Sequence, residues 1–143
     1  MKRIFLPMSA AALAALGALA IAGGQLSPKA QAELTQAMSN IKQIGTSVMI
    51  YAADYDDRLP LASSTAQAIK QTRPYLKKDS VWIHPVRGEV LYNTALSGIG
   101  MAQIKEISKT LLLWEKKSTE GYRITGFADA HVVRNSEAEW NKI

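Results

Sequence analysis

The sequence predicts an α+β domain: one long helix, Glu33–Tyr55, packed across a small antiparallel sheet of three or four strands. Three observations lead there. Apolar residues recur at steps of three and four over Leu34, Met38, Ile41, Ile44 or Gly45, Val48, Ala52 and Tyr55, which is the spacing of one helix face. The remainder of the chain holds short β-prone runs separated by turn residues, Val81–Ile83, Val90–Tyr92, Thr110–Trp114 and Tyr122–Phe127, which suit a small antiparallel sheet. Finally, 143 residues with 48% apolar and 20% charged content suffice for one domain but not comfortably for two.

The first 32 residues read as an address. Met1-Lys2-Arg3 is positive, Ile4–Ala22 is uncharged and rich in Ala and Leu, and Gly23-Gly24 leads through Pro28 to Ala30-Gln31-Ala32. A basic start, an apolar middle and a small-x-small end describe a secretory signal peptide, with cleavage between Ala32 and Glu33 and Ala20-Ile21-Ala22 as a second site. The alternative is an uncleaved membrane anchor over residues 4–22, since about 20 apolar residues span a bilayer. Pro7, Ser9 and the predominance of alanine favour the cleaved form. In both cases residues 33–143 are exported, periplasmic or extracellular, because the positive end stays inside. The net charge of +5 sits largely in this leader, which holds Lys2, Arg3 and Lys29 and no acid. The rest is near balance, so no specific nucleic-acid partner is expected. Absence of cysteine excludes disulfides, thiol catalysis and cysteine-ligated zinc.

Within the mature chain, Asp54-Tyr55-Asp56-Asp57 and Leu59-Pro60 end the long helix, and Gly45 inside it permits close approach of another backbone. Ser63-Ser64 caps a second helix through about Thr72, and Pro74 forces a turn. Thr110–Trp114, the most hydrophobic run, is the expected central strand. Tyr122–Phe127 and Ala130–Arg134 form a hairpin about Asp129-Ala130, where Ala130 is a misfit because such turns want positive φ. Ser136-Glu137-Ala138-Glu139 is a capping box opening a short helix with Trp140. The expected core is Leu111–Leu113, Ile124, Val132, Ile41, Ile44 and Val48.

Several of these segments together resemble the bacterial prepilin-type, type II secretion pseudopilin-like family. Ser39–Gly45 and Tyr51–Pro60 are similar to its helix end, Pro74–Lys77 to its "PYLK", Val81–Pro85 to its aromatic strand and "CP", and Leu91–Asn93 to its "YN". Lys109–Trp114 is similar to its "ETILLAD" strand and Phe127–Val132 to its closing "FADGHV". The matches run in order from about Met38 to Val133. The departures are that no acid precedes Glu33, Gly23-Gly24 and Pro28 interrupt the N-terminal helix, His84 stands for the family's Cys, and Thr119 and Ala130 stand for its closing His and Gly. The resemblance therefore implies the pilin headgroup fold, and not filament assembly or peptidase processing.

The function expected is a non-enzymatic structural or interaction module of the cell envelope. Its partners are expected among envelope or secretion and pilus proteins, met through the exposed N-terminal turns of the long helix at Leu34, Met38 and Ile41. No catalytic residue, cofactor or metal is assigned. Asp54, Asp56 and Asp57 lack the further ligands and the glycine of a calcium loop and read as helix-terminating acids. Lys77-Lys78 and Lys116-Lys117, near Tyr75, Trp82 and Trp114, read as solvated surface rather than a binding patch. Gly98-Ile99-Gly100 lacks the Lys-Ser/Thr of a phosphate loop. The rival is a periplasmic ligand-binding or hydrolytic protein using His84, Asp129 and His131, which requires those three to converge.

Overall fold

The computed structural model describes residues 25–143, so the expected signal or anchor segment at 4–22 lies outside the described residues. The chain divides into two units, residues 1–31 and 32–143, and the second holds the sheet. The long helix, α1, runs Pro28–Asp54, starting earlier than expected. Ala30, Ala32 and Glu33, the expected cleavage junction, fall in its first two turns. Among the described residues no helix is long and apolar enough to cross a membrane.

The buried stripe of α1 within the second unit is Leu34, Ala37, Ile41, Ile44, Val48, Tyr51 and Ala52. It is rotated slightly from the expected one: Ala37 replaces Met38 and Tyr51 replaces Tyr55. A 3.6-residue period places 34, 37, 41, 44, 48 and 51 in line, and large side chains one step off that line stay half-buried or exposed. Buried polar groups on this stripe are satisfied locally, Ser47 Oγ donating to the Ile44 carbonyl at 2.7 Å and Gln36 Nε2 to Asn40 Oδ1 at 2.9 Å. The helix stops because Asp56 and Asp57 both take φ 54°, a left-handed conformation that Asp tolerates better than most residues. The chain then runs extended, pinned by Met101 N–H to the Asp57 carbonyl (2.7 Å) and Leu59 N–H to the Ile99 carbonyl (2.9 Å).

Helix α2, Thr65–Thr72, is capped by Ser64, as the sequence predicts, and passes into a 3-10 turn at Arg73–Tyr75. Val81 and Trp82, expected in a strand, lie in a 3-10 turn, Asp79–Trp82, with both side chains buried. A strand alternates its faces and cannot bury two neighbours on one side; a tight helical turn can. The strands are β1 (Ile83–His84), β2 (Gly88–Tyr92), β3 (Leu111–Glu115), β4 (Tyr122–Phe127) and β5 (Val132–Ser136). All pair antiparallel in sequence order. The sheet thus has five strands rather than three or four, and the first of them, the two-residue β1, combines Ile83 of the expected run with the His84 that was expected to end it. β3 is central, as predicted.

One face of the sheet meets α1 across a seam with two glycines. A Cβ added at Gly126 would stand 2.9 Å from Ile41 Cγ2, and one at Gly45 would stand 3.4 Å from Ala130 Cβ and 3.5 Å from its Cα. The β4–β5 turn is pulled onto the helix by Lys42, whose ammonium donates to the Ala130 carbonyl at 2.7 Å. Ala130 does adopt positive φ, 65°. The opposite face carries the C-terminal helix α3, Glu137–Trp140, opened by the Ser136–Glu139 capping box. Arg123 lies 4.5 Å over the Trp140 ring, and Trp114 packs 6.3 Å from it. Ile41, Ile44, Val48, Leu112, Leu113 and Ile124 are fully buried, as expected. Leu111 and Val132 are only half-buried, because Leu111 starts its strand beside a register shift and Val132 lies on the edge strand.

Candidate functional site

The three polar residues of the rival reading do not converge. His84 is on β1, and Asp129 and His131 are in the turn joining β4 to β5, at opposite edges of the sheet. Asp129 accepts from the His131 backbone N–H and contacts its ring, while that ring stacks on Phe127 at 4.5 Å. Burial pushes the Asp129 carboxyl up, but its bonds to His131 outweigh this and hold it below the usual range. No group of three or more His, Cys, Asp or Glu that could hold a metal ion occurs among the described residues. Nor do Asp54, Asp56 and Asp57 gather: Asp54 accepts a 2.7 Å bond from the Tyr75 hydroxyl. The lysine pairs and their aromatic neighbours are also dispersed. Lys116 pairs with Glu89 at 2.8 Å, Trp82 is buried, and Trp114 belongs to the α3 face.

The expected docking residues on α1 require correction as well. Leu34 and Ile41 are 2% and 1% exposed, and Met38 is half-buried. The stripe is committed to the interior of the chain.

Two features escaped the sequence reading. The first is a buried ion pair tying the β1–β2 turn to β3. Arg87 grips Glu115 with two bonds, Nε to Oε1 at 2.6 Å and Nη2 to Oε2 at 2.7 Å, with 3% and 2% of the side chains exposed. Glu115 also accepts the Ile124 N–H at 2.8 Å, and Arg87 donates to the Tyr122 carbonyl at 3.1 Å. His84 supports the turn that carries Arg87: its Nδ1 accepts the N–H groups of Val86 and Arg87, both at 3.2 Å. That acceptor role puts the ring proton on Nε2. Burial, then the Arg87 charge, lower the His84 pKa below its ordinary value, so the ring is held neutral. This is a structural network, since each charge is consumed by its neighbour.

The second is an aromatic cleft at the C-terminal end of α1. Tyr51 and Tyr55, one turn apart, stack at 4.2 Å with planes 13° apart, and Tyr75 meets Tyr51 edge-on at 6.3 Å. The Tyr75 hydroxyl is pushed up to about 12, chiefly by its bond to Asp54, so Tyr75 is a neutral phenol. Tyr55 and Leu61 remain 53% and 71% exposed. Around them lie a cleft of 530 Å³, walled on its far side by Gln67, Lys70, Gln71 and Pro74, and a second of 350 Å³ that shares Tyr51, Tyr55 and Leu61 and continues to Arg58 and Gly98. Apolar walls with a few aimed polar groups are the usual make-up of a binding site. The sequence signal for it was present: Tyr51 and Tyr55 at i, i+4, and Gln67, Lys70 and Gln71 on one face of α2.

No protein-family model, curated protein or solved structure matches the chain.

Proposed function

We propose that the chain is an exported, non-enzymatic structural or interaction module of the bacterial cell envelope, with a pilin-like headgroup over residues 33–143 related to type II secretion pseudopilins and type IV pilins. Its partners on this reading are envelope or secretion and pilus proteins. The observation that carries it is the meeting of two motif-bearing segments. Gly45, closing the Ser39–Gly45 run on the long helix, receives Ala130 of the Phe127–Val132 run, so two of the stretches that resemble the family meet in one helix–sheet seam. The amphipathic helix laid on an antiparallel sheet supports the same reading, as does the leader-like composition of residues 1–32. The dispersal of His84, Asp129 and His131 gives the hydrolytic alternative no site to act from.

Fusion of alkaline phosphatase after Ile143 tests the export half of the proposal. Activity in a bacterial host, lost when residues 1–32 are deleted, is expected. An inactive fusion, where the same reporter behind an established signal is active, would overturn it.

A further inference from the structure

The cleft at Tyr55 has the chemistry of a saccharide site. We infer that it binds a neutral oligosaccharide, one ring lying on the outer face of Tyr55 and its hydroxyls meeting Gln67, Lys70 and Gln71. This rests on the reading of the chain as an envelope interaction module and gives it a ligand besides its protein partners.

The platform comes first. One face of Tyr55 is covered by Tyr51, so the 53% of the residue that stays exposed is the opposite face and the ring edge. Because Tyr51 is itself wedged by Tyr75, whose hydroxyl is tied to Asp54, the platform is held in place before any ligand arrives. Preorganisation of this kind removes part of the ordering cost of binding. Flat apolar C–H faces of a sugar ring suit such a surface, and Leu61 extends it.

The polar rim then selects the ligand class. Gln67 Oε1 is occupied by the Ser63 N–H and hydroxyl at 2.8 and 3.0 Å, which leaves its amide N–H groups to donate. Lys70 makes no ion pair among the described residues and adds a second donor. Gln71 is fixed the other way round: its Nε2 donates to the Leu61 carbonyl at 2.6 Å, while Oε1 is buried with no partner among the described residues. A buried acceptor left unpaired is costly, and a small turn of the Gln71 amide toward the cleft lets an entering donor relieve it. A hydroxyl both donates and accepts, so adjacent hydroxyls on one ring serve all three side chains. An anion would satisfy Lys70 and Gln67 but repel the Gln71 oxygen, and a proline-rich segment would use the tyrosines while offering few N–H donors. The adjoining 350 Å³ cleft gives room for a second ring, which points to a chain rather than a single sugar.

The test is NMR titration of the full 15N-labelled chain with tetramers of N-acetylglucosamine, β-1,4-glucose and α-1,4-glucose, and with decaproline. Saturable shifts of the Gln67 and Gln71 side-chain amides with at least one tetramer are expected. Tyr55→Ala is expected to weaken binding about tenfold or more, and Tyr55→Phe to retain it, with backbone spectra otherwise unchanged. No saturable shift with any tetramer, equal binding by Tyr55→Ala, or saturation with decaproline alone would overturn the inference. These outcomes concern purified protein and are separate from the fusion result, so either reading can fail without the other.

Discussion

The Glu115 carboxylate takes three hydrogen bonds, two from Arg87 and one from the Ile124 N–H, where almost no solvent reaches. Removing one partner strands a buried charge. Glu115→Ala is therefore expected to cost about 3–5 kcal/mol, whereas replacing Arg87 and Glu115 together by Met and Leu should cost much less; urea midpoints of the three proteins check this. His84 gives the same network a pH dependence. Its folded pKa is lowered by burial and by Arg87, so the unfolded chain binds the proton more readily below the ordinary value of 6.5. Stability contributed by the neutral ring is full above that value and is lost as pH falls through it. The urea midpoint should drop between about pH 7.5 and about pH 5.5, and His84→Asn, which keeps an acceptor but cannot titrate, should flatten that drop. Neither role was legible in sequence. An Arg and a Glu 28 positions apart carry no spacing signal, and only the pairing of β2 with β3 brings them together.

At the level of elements, the seam between α1 and the sheet makes opposite demands on its two glycines. A methyl at Gly126 would stand 2.9 Å from Ile41 Cγ2, a β-branched methyl with little freedom to move. Gly126→Ala should therefore push the helix from the sheet and destabilise by about 1–3 kcal/mol. At Gly45 the nearest atom is 3.4 Å away, an ordinary contact, so Gly45→Ala should be tolerated and gain up to about 1 kcal/mol from helix propensity. Thermal or chemical denaturation of the two variants checks the difference in sign. Periodicity located α1 and the central strand well, because an apolar stripe and a continuous apolar run have few competing explanations. Caps were equally legible at Ser64 and Ser136, where the chemistry is local. Periodicity misplaced the Val81–Ile83 run: Val81 and Trp82 lie in a 3-10 turn, and only Ile83 enters the sheet, with His84, as β1. The expectation that Leu34, Met38 and Ile41 formed an open surface failed for a related reason: a sequence gives the direction of an apolar stripe but not how much of it is covered.

For the whole molecule, the described residues form a five-stranded antiparallel sheet with α1 against one face and α3 against the other, and an aromatic cleft opens where α1 ends. The sequence holds the two halves of that cleft, the Tyr51/Tyr55 pair and the Gln67–Gln71 face of α2, but only the fold brings them together. The reading of this domain as an exported, pilin-like envelope module rests instead on ordered motif resemblance and on the leader, both legible from residues alone. The measurement that bears on it most directly is the intact mass and N-terminal sequence of the native protein, taken from separated cytoplasmic, soluble-envelope and membrane fractions. The account predicts an envelope species beginning at Glu33 or Gly23, or an uncleaved chain in the membrane fraction. A full-length chain found soluble in the cytoplasm would contradict it.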